Sequence, residues 1–124
     1  MSSVSNTYPP ARPGVDFLLQ AIADLPDSEF VGRDHLAAGV SFIVVDNPPG
    51  EGPRLHRHDY EEVFVVLEGE ATVTVGGSEL AVSGGTVVVV PPGRAHRFVN
   101  SGPGRLRQLD IHPRDHFETE WLEG

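Results

Sequence analysis

From Gly39 to the C-terminus, short runs rich in β-branched residues alternate with breaks rich in glycine and proline. Val40–Val45 stops at Asp46-Asn47-Pro48-Pro49-Gly50, and Val63–Leu67 is closed by Gly69. Ala71–Val75 alternates threonine with valine, the period of a strand with one buried face. Gly76-Gly77 supplies two positions free to take positive φ, the signal of a tight hairpin leading into Glu79–Val82. Ser83-Gly84-Gly85 turns the chain into Thr86–Val90, Pro91-Pro92-Gly93 breaks that run, and Ala95–Val99 resumes it. Asn100–Gly104 is a further turn, followed by Arg105–Ile111 and Phe117–Leu122. With 14 glycines and 11 prolines in 124 residues, breaks come too often for a helical bundle. Short strands at this spacing predict an all-β sandwich or barrel. Thr86–Val90 is apolar on both faces, which predicts cover on both sides, the outer one from a second subunit.

The first 38 residues read differently. Residues 1–14 form a loose tail ending in Pro13-Gly14. Val15–Leu25 fits a short helix, because Val15, Leu18, Leu19, Ile22 and Ala23 share a face. Asp16 near its start and Pro26 just past its end agree with that reading.

Two absences narrow the chemistry. The chain has no cysteine, and its nine basic residues are all arginine. Disulfides, thiolate nucleophiles and iron–sulfur clusters are excluded, as are Schiff bases and the lysine anchor of pyridoxal phosphate. A net charge of -9 argues against nucleic acid and against anionic membrane surfaces as partners. Residues 1–10 carry neither the basic start nor the apolar run of a signal peptide, and Val87–Val90 is far too short to span a bilayer. A cytoplasmic protein is therefore expected. What remains for chemistry is carboxylates, hydroxyls, arginines and six histidines.

The histidines are patterned. His56-Arg57-His58 sends two imidazoles to one face of an extended strand. Glu62 follows beyond a segment that can bend, and His96 follows Pro91-Pro92-Gly93. Three imidazoles and a carboxylate suit one borderline divalent ion such as Fe, Mn, Ni, Co, Cu or Zn. By position alone, Glu61 competes with Glu62 for the carboxylate role.

The flanking residues go further. Gly50-x5-His56-x-His58-x3-Glu62-x6-Gly69 and Gly85-x5-Pro91-x-Gly93-x2-His96-x3-Asn100 resemble the two signatures of the cupin superfamily at each fixed position. The resemblance covers Gly50 to Asn100. It implies a double-stranded β-helix, or jelly roll, over residues 39–124, with residues 1–38 packing on the barrel or swapping with it. It also implies that His56, His58, Glu62 and His96 hold one divalent metal ion per subunit, which selects Glu62 over Glu61. Gly69, Gly85 and Gly93 then mark sharp turns.

Strand parity nominates further pocket residues. Phe64 shares the face of Glu62, Phe98 that of His96, and Phe42 lies on an earlier strand; each also suits the core. In Arg105–His112, Gln108, Asp110 and His112 fall on one face, toward solvent or into the cavity. Arg94 suits either an anionic substrate or a solvated rim. His35 and His116 read as surface residues, and Trp121 as an anchor for the last strand or for a second subunit.

Two functions follow. One is a metal-dependent enzyme on a small organic molecule, dioxygenase-type with a redox metal, or isomerase-, lyase- or cyclase-type with a Lewis-acid metal. The other is a non-enzymatic module binding a small ligand or a sugar. A cupin-type DNA-binding regulator does not fit, since residues 1–38 hold no helix-turn-helix pattern. A homodimer is expected, from the habit of the family and the long apolar strands.

Overall fold

The computed structural model describes residues 17–123. Ten strands follow in order: β1 (Glu29–Phe30), β2 (Ser41–Asn47), β3 (His56–Arg57), β4 (Glu62–Glu68), β5 (Glu70–Val75), β6 (Ser78–Ser83), β7 (Thr86–Val90), β8 (His96–Asn100), β9 (Leu106–His112) and β10 (Glu120–Trp121). They form two five-stranded antiparallel sheets, β1-β2-β9-β4-β7 and β10-β3-β8-β5-β6. The two sheets face each other as a double-stranded β-helix, with side chains of alternate parity meeting between them.

That alternation sorts the sequence. Leu106, Gln108, Asp110 and His112 of β9 are buried, as are Glu62, Phe64 and Val66 of β4 and His96, Phe98 and Asn100 of β8. The apolar members gather into one core of Val45, Phe64, Val66, Ala71, Val73, Val90, Phe98 and Leu106. Asn100 closes that end of the barrel. Its amide donates to the carbonyls of Asn47 and Gly104 and its oxygen accepts from Gly102 N–H.

The turns follow the glycines. Val75 pairs with Ser78 across Gly76-Gly77, the hairpin expected there. Gly69, between β4 and β5, has φ +92°, and a Cβ there would lie 2.3 Å from the Arg105 carbonyl oxygen. A side chain at that point would meet both strain and collision.

The helix expected over Val15–Leu25 does not form in the described residues; Val15 and Asp16 lie outside them. The chain instead makes two single 3₁₀ turns, Ile22–Asp24 and Pro26–Ser28, neither with a side-chain cap. Uncapped single turns fix many dihedrals for few hydrogen bonds, so tertiary packing decides. Here packing buries Ala21 and Leu25 and leaves Phe17, Leu19 and Ile22 exposed, so the shared apolar face is not used. The same segment then supplies β1, whose Glu29 and Phe30 pair with Ile43 and Phe42. β7 is an edge strand, and its outward Val87 and Val89 are each 61% exposed in the single chain. Among the described residues no helix is long and apolar enough to cross a membrane.

Candidate metal centre

β3 and β8 are neighbours, with His56 directly opposite His96. Their rings approach to 4.4 Å between centroids, as close cross-strand pairing requires. His58 leaves β3 on the same side as His56. Glu62 opens β4 on the facing sheet, so the centre is built by both layers of the barrel. All four residues are buried, and their candidate ligand atoms lie within 4.8 Å of one another. Glu61 is exposed, as the opposite parity of β4 demands.

The backbone aims the imidazoles. His56 Nδ1 lies 2.7 Å from the Arg54 carbonyl, His58 Nδ1 2.7 Å from that of Glu118, and His96 Nδ1 2.8 Å from that of Arg94. A carbonyl only accepts, so each Nδ1 carries the proton and each Nε2 offers a lone pair. Two of those nitrogens, on His58 and His96, stand 2.9 Å from Glu62 Oε1, itself an acceptor. Buried lone pairs converging at that distance call for a cation between them. His58 Nε2 has no hydrogen-bond partner at all. The donor set, three neutral imidazoles and one carboxylate oriented by outer hydrogen bonds, fits a borderline divalent metal ion.

The protonation preferences of the metal-free cluster differ from ring to ring. Burial opposes charge on His56 and takes its pKa down to about 4. Burial also opposes charge on Glu62, but the contacts with His112, His58 and His96 outweigh it and hold the carboxyl well below the usual range. His58 is raised despite its burial, because Glu62 favours its protonated form.

A cavity of about 430 Å³ opens above His56, His58 and Glu62. Phe98, Asp110 and His112, nominated from the sequence, are part of its lining. Phe64 and Gln108 stand behind it. The Phe64 ring packs against Phe98 at 5.4 Å, and Gln108 Nε2 donates to Asp110 Oδ1 at 2.6 Å. Burial, with repulsion from Glu62, raises the Asp110 carboxyl well above its ordinary value. Phe42 and Arg94 do not reach the cavity. Phe42 has the outward parity of β2 and stacks on Phe30 at 4.7 Å, and Arg94 is an exposed residue of the turn before β8. His35 stacks on Phe30, and His116 contacts Asp115 and Glu118; neither lines the cavity.

Several functional positions escaped the sequence reading. Tyr60 hydroxyl lies 2.7 Å from His112 Nδ1, and His112 Nε2 lies 3.2 Å from the second oxygen of Glu62. Tyr60 shares the even parity of His56, His58 and Glu62, a signal that could have found it. Trp121 pairs with His56 across β10 and β3, its ring 5.0 Å away, and Phe117 abuts His112 at 4.8 Å. Asp27, Ser28 and Glu29 reach the cavity from the N-terminal segment, where no local pattern announces them.

Comparison with known proteins places this architecture. An uncharacterised protein of Methanocaldococcus jannaschii is 32% identical over 79 residues, covering 61% of this chain and 63% of that protein. Auxin-binding protein 1 of Arabidopsis thaliana is 26% identical over 114 residues, covering 76% of this chain and 58% of that one. This chain thus spans less than two thirds of the length of either relative. Oxalate decarboxylase of Bacillus subtilis, a protein with Mn(II) centres, superposes with a TM-score of 0.77 at 21% identity, over 90% of this chain and 34% of that one. Residues 43–112, more than half of the chain and nearly all of both sheets' central strands, match the cupin domain, and the protein belongs to that family.

Proposed function

We propose that the chain is a metal-dependent cupin enzyme that holds one divalent ion on His56, His58, Glu62 and His96 and acts on a small organic molecule in the adjoining cavity. The observation that carries this reading is the tautomer set. Three backbone carbonyls fix the Nδ1 protons, so three Nε2 lone pairs face Glu62 at the base of a cavity large enough for a ligand. A redox metal there would supply dioxygenase-type chemistry, and zinc or manganese would supply Lewis-acid chemistry of the isomerase, lyase or cyclase type.

The chain's own groups have distinct tasks. Phe98 and Phe117 give the cavity an apolar wall, and Trp121 packs beside His56 at 5.0 Å. Asp110, whose carboxyl burial and Glu62 push well above its ordinary value, accepts from Gln108 at Oδ1. His112, between Tyr60 and Glu62, orients the carboxylate. In elemental analysis, protein purified from its own host should carry about one ion per chain, and His96→Ala should carry almost none and lose turnover. Unchanged activity in metal-free protein would overturn the proposal.

A second reading, non-enzymatic ligand binding, is favoured by the similarity to an auxin-binding protein. Thermal stabilisation by a ligand that is never turned over would select it. We also infer a homodimer, supported by outward Leu67, Val87 and Val89 on neighbouring strands of one sheet face. Light scattering should give twice the chain mass, and Val87→Asp should shift it toward the monomer.

A further inference from the structure

The three imidazoles of the metal centre are not all aimed from the same distance along the chain. His56 and His96 each donate from Nδ1 to a carbonyl two residues back, at Arg54 and Arg94. His58 instead donates to the carbonyl of Glu118, 60 residues further on. The N–H of Glu118 donates to the Tyr60 hydroxyl at 3.2 Å, and that hydroxyl meets His112 at 2.7 Å. The main chain of one C-terminal residue therefore fixes a ligand and also the group beside Glu62.

The segment that carries Glu118 is loosely attached. From Pro113 to Glu123 no residue is buried, and Trp121 is 51% exposed. Two residues pair with β3, and Leu122 N–H donates to the Leu55 carbonyl. The other ties are exposed ion pairs, Glu120 with Arg57 at 3.0 Å and Arg114 with Asp59 at 3.3 Å. Such pairs contribute little and are screened by salt. Parity gives the segment space on two faces. Phe117, Thr119 and Trp121 line the main cavity, while Glu118 and Glu120 line a second hollow of about 320 Å³. His58 and Thr119 belong to both linings. A segment with few buried apolar contacts and exposed hydrogen bonds opens locally, without unfolding the sheets behind it.

We infer that residues 113–123 are a strap that docks on β3 and lifts from it as a unit, and that its docking positions His58 and so sets the hold on the metal ion. The inference rests on the metal-centred reading above and adds to it a positioning role for the Glu118 main chain. Lifting the strap takes from His58 the acceptor that fixes its tautomer, and from Tyr60 one of its partners. It also removes three wall residues and joins the two hollows. His56 and His96 keep their own carbonyls, so the site is weakened at one ligand and not dismantled.

A reversible lock tests this in the full chain. Arg57 and Glu120 stand directly opposite each other, both exposed, in a chain without cysteine. Opposed residues of an antiparallel pair have Cα atoms roughly 5 Å apart, within the span of a disulfide. The double variant Arg57→Cys, Glu120→Cys is loaded with cobalt(II) and mixed with excess chelator, and release is followed by cobalt absorption. The oxidised form should release cobalt roughly tenfold more slowly than the same protein after reduction, the scale on which outer hydrogen-bond partners affect metal binding. Independently, Glu120→Arg should speed release severalfold, and adding Arg57→Glu should restore the wild-type rate, a rescue that general loss of folding would not give. In the wild type, hydrogen exchange should open the Glu118 and Leu122 amides well before those of β4 and β9. Equal release from the oxidised and reduced forms, with the disulfide confirmed by mass, overturns the inference. So does a charge swap without rescue, or strap amides that exchange together with the sheets. If the disulfide does not close, the charge swap and the exchange decide. Failure of the wild type to hold cobalt at all removes the metal-centred reading instead, and this inference with it.

Discussion

The two ends of the barrel interior use the same alternating strands for opposite purposes. Around Val45, Val66, Ala71, Val73 and Leu106 the inward positions are aliphatic and make a dry core. Toward the other end of the same two sheets, the inward positions become Ser41, His56, Glu62, His96 and His112, equally buried but polar. Burial by itself therefore does not distinguish structure from function here. Composition at fixed parity does, and the polar end is tolerable only because its groups are hydrogen-bonded or poised to share a cation.

The contrast can be broken from either side. Phe64→Ala, at the junction of the two ends, should cost about 3–5 kcal/mol in chemical unfolding, since Phe64 is fully buried. The folded fraction should still bind metal, because Phe64 contributes no ligand; loss of metal from a well-folded variant would mean that the ends are not separable. Acid should attack the polar end next. In metal-free protein His56 stays neutral down to about 4, against an ordinary value of 6.5. The unfolded chain thus binds that proton first, and stability should fall by roughly 2 kcal/mol as pH drops from 6.5 to 4. Glu62, held low by its histidine contacts, adds loss in the same direction below the ordinary carboxylate range. His58, raised in the fold, acts in the opposite sense and only above 6.5. Unfolding midpoints across this range, repeated for His56→Gln, check the sign; a flat profile in the wild type would contradict it. The smallest effect should come from Tyr60→Phe, which removes one hydroxyl from His112. About 1 kcal/mol of stability and up to roughly tenfold in metal affinity are expected, read by unfolding and by competition with a chelator.

How much of this was written in the sequence depends on the range over which each feature is specified. Thr86–Val90 forms the strand its residues describe, and Gly76-Gly77 forms its hairpin, because both are decided within a few residues. The cluster of His56, His58, Glu62 and His96 was legible because flanking glycines and prolines fix the turns around it. The two-residue strands β1 and β10 were not. Glu29–Phe30 exists only by pairing with β2, and the run Phe117–Leu122 shrinks to Glu120–Trp121 against β3. Tyr60 was readable by parity and passed over, and Phe42 was placed in the pocket although Ile43 holds the inward position. The acidic mouth, Asp27 to Glu29, comes from a segment whose position is set by tertiary packing, so no local pattern could announce it.

The orientation of the three imidazoles has a consequence for how such a protein can change over time. Each ring is aimed by a main-chain oxygen, at Arg54, Arg94 and Glu118, and every amino acid possesses one. Substitutions at those three positions leave the aiming atoms in place. The cavity walls can therefore drift toward new substrates while the ion-binding geometry is inherited intact, separating what the site holds from what it acts upon.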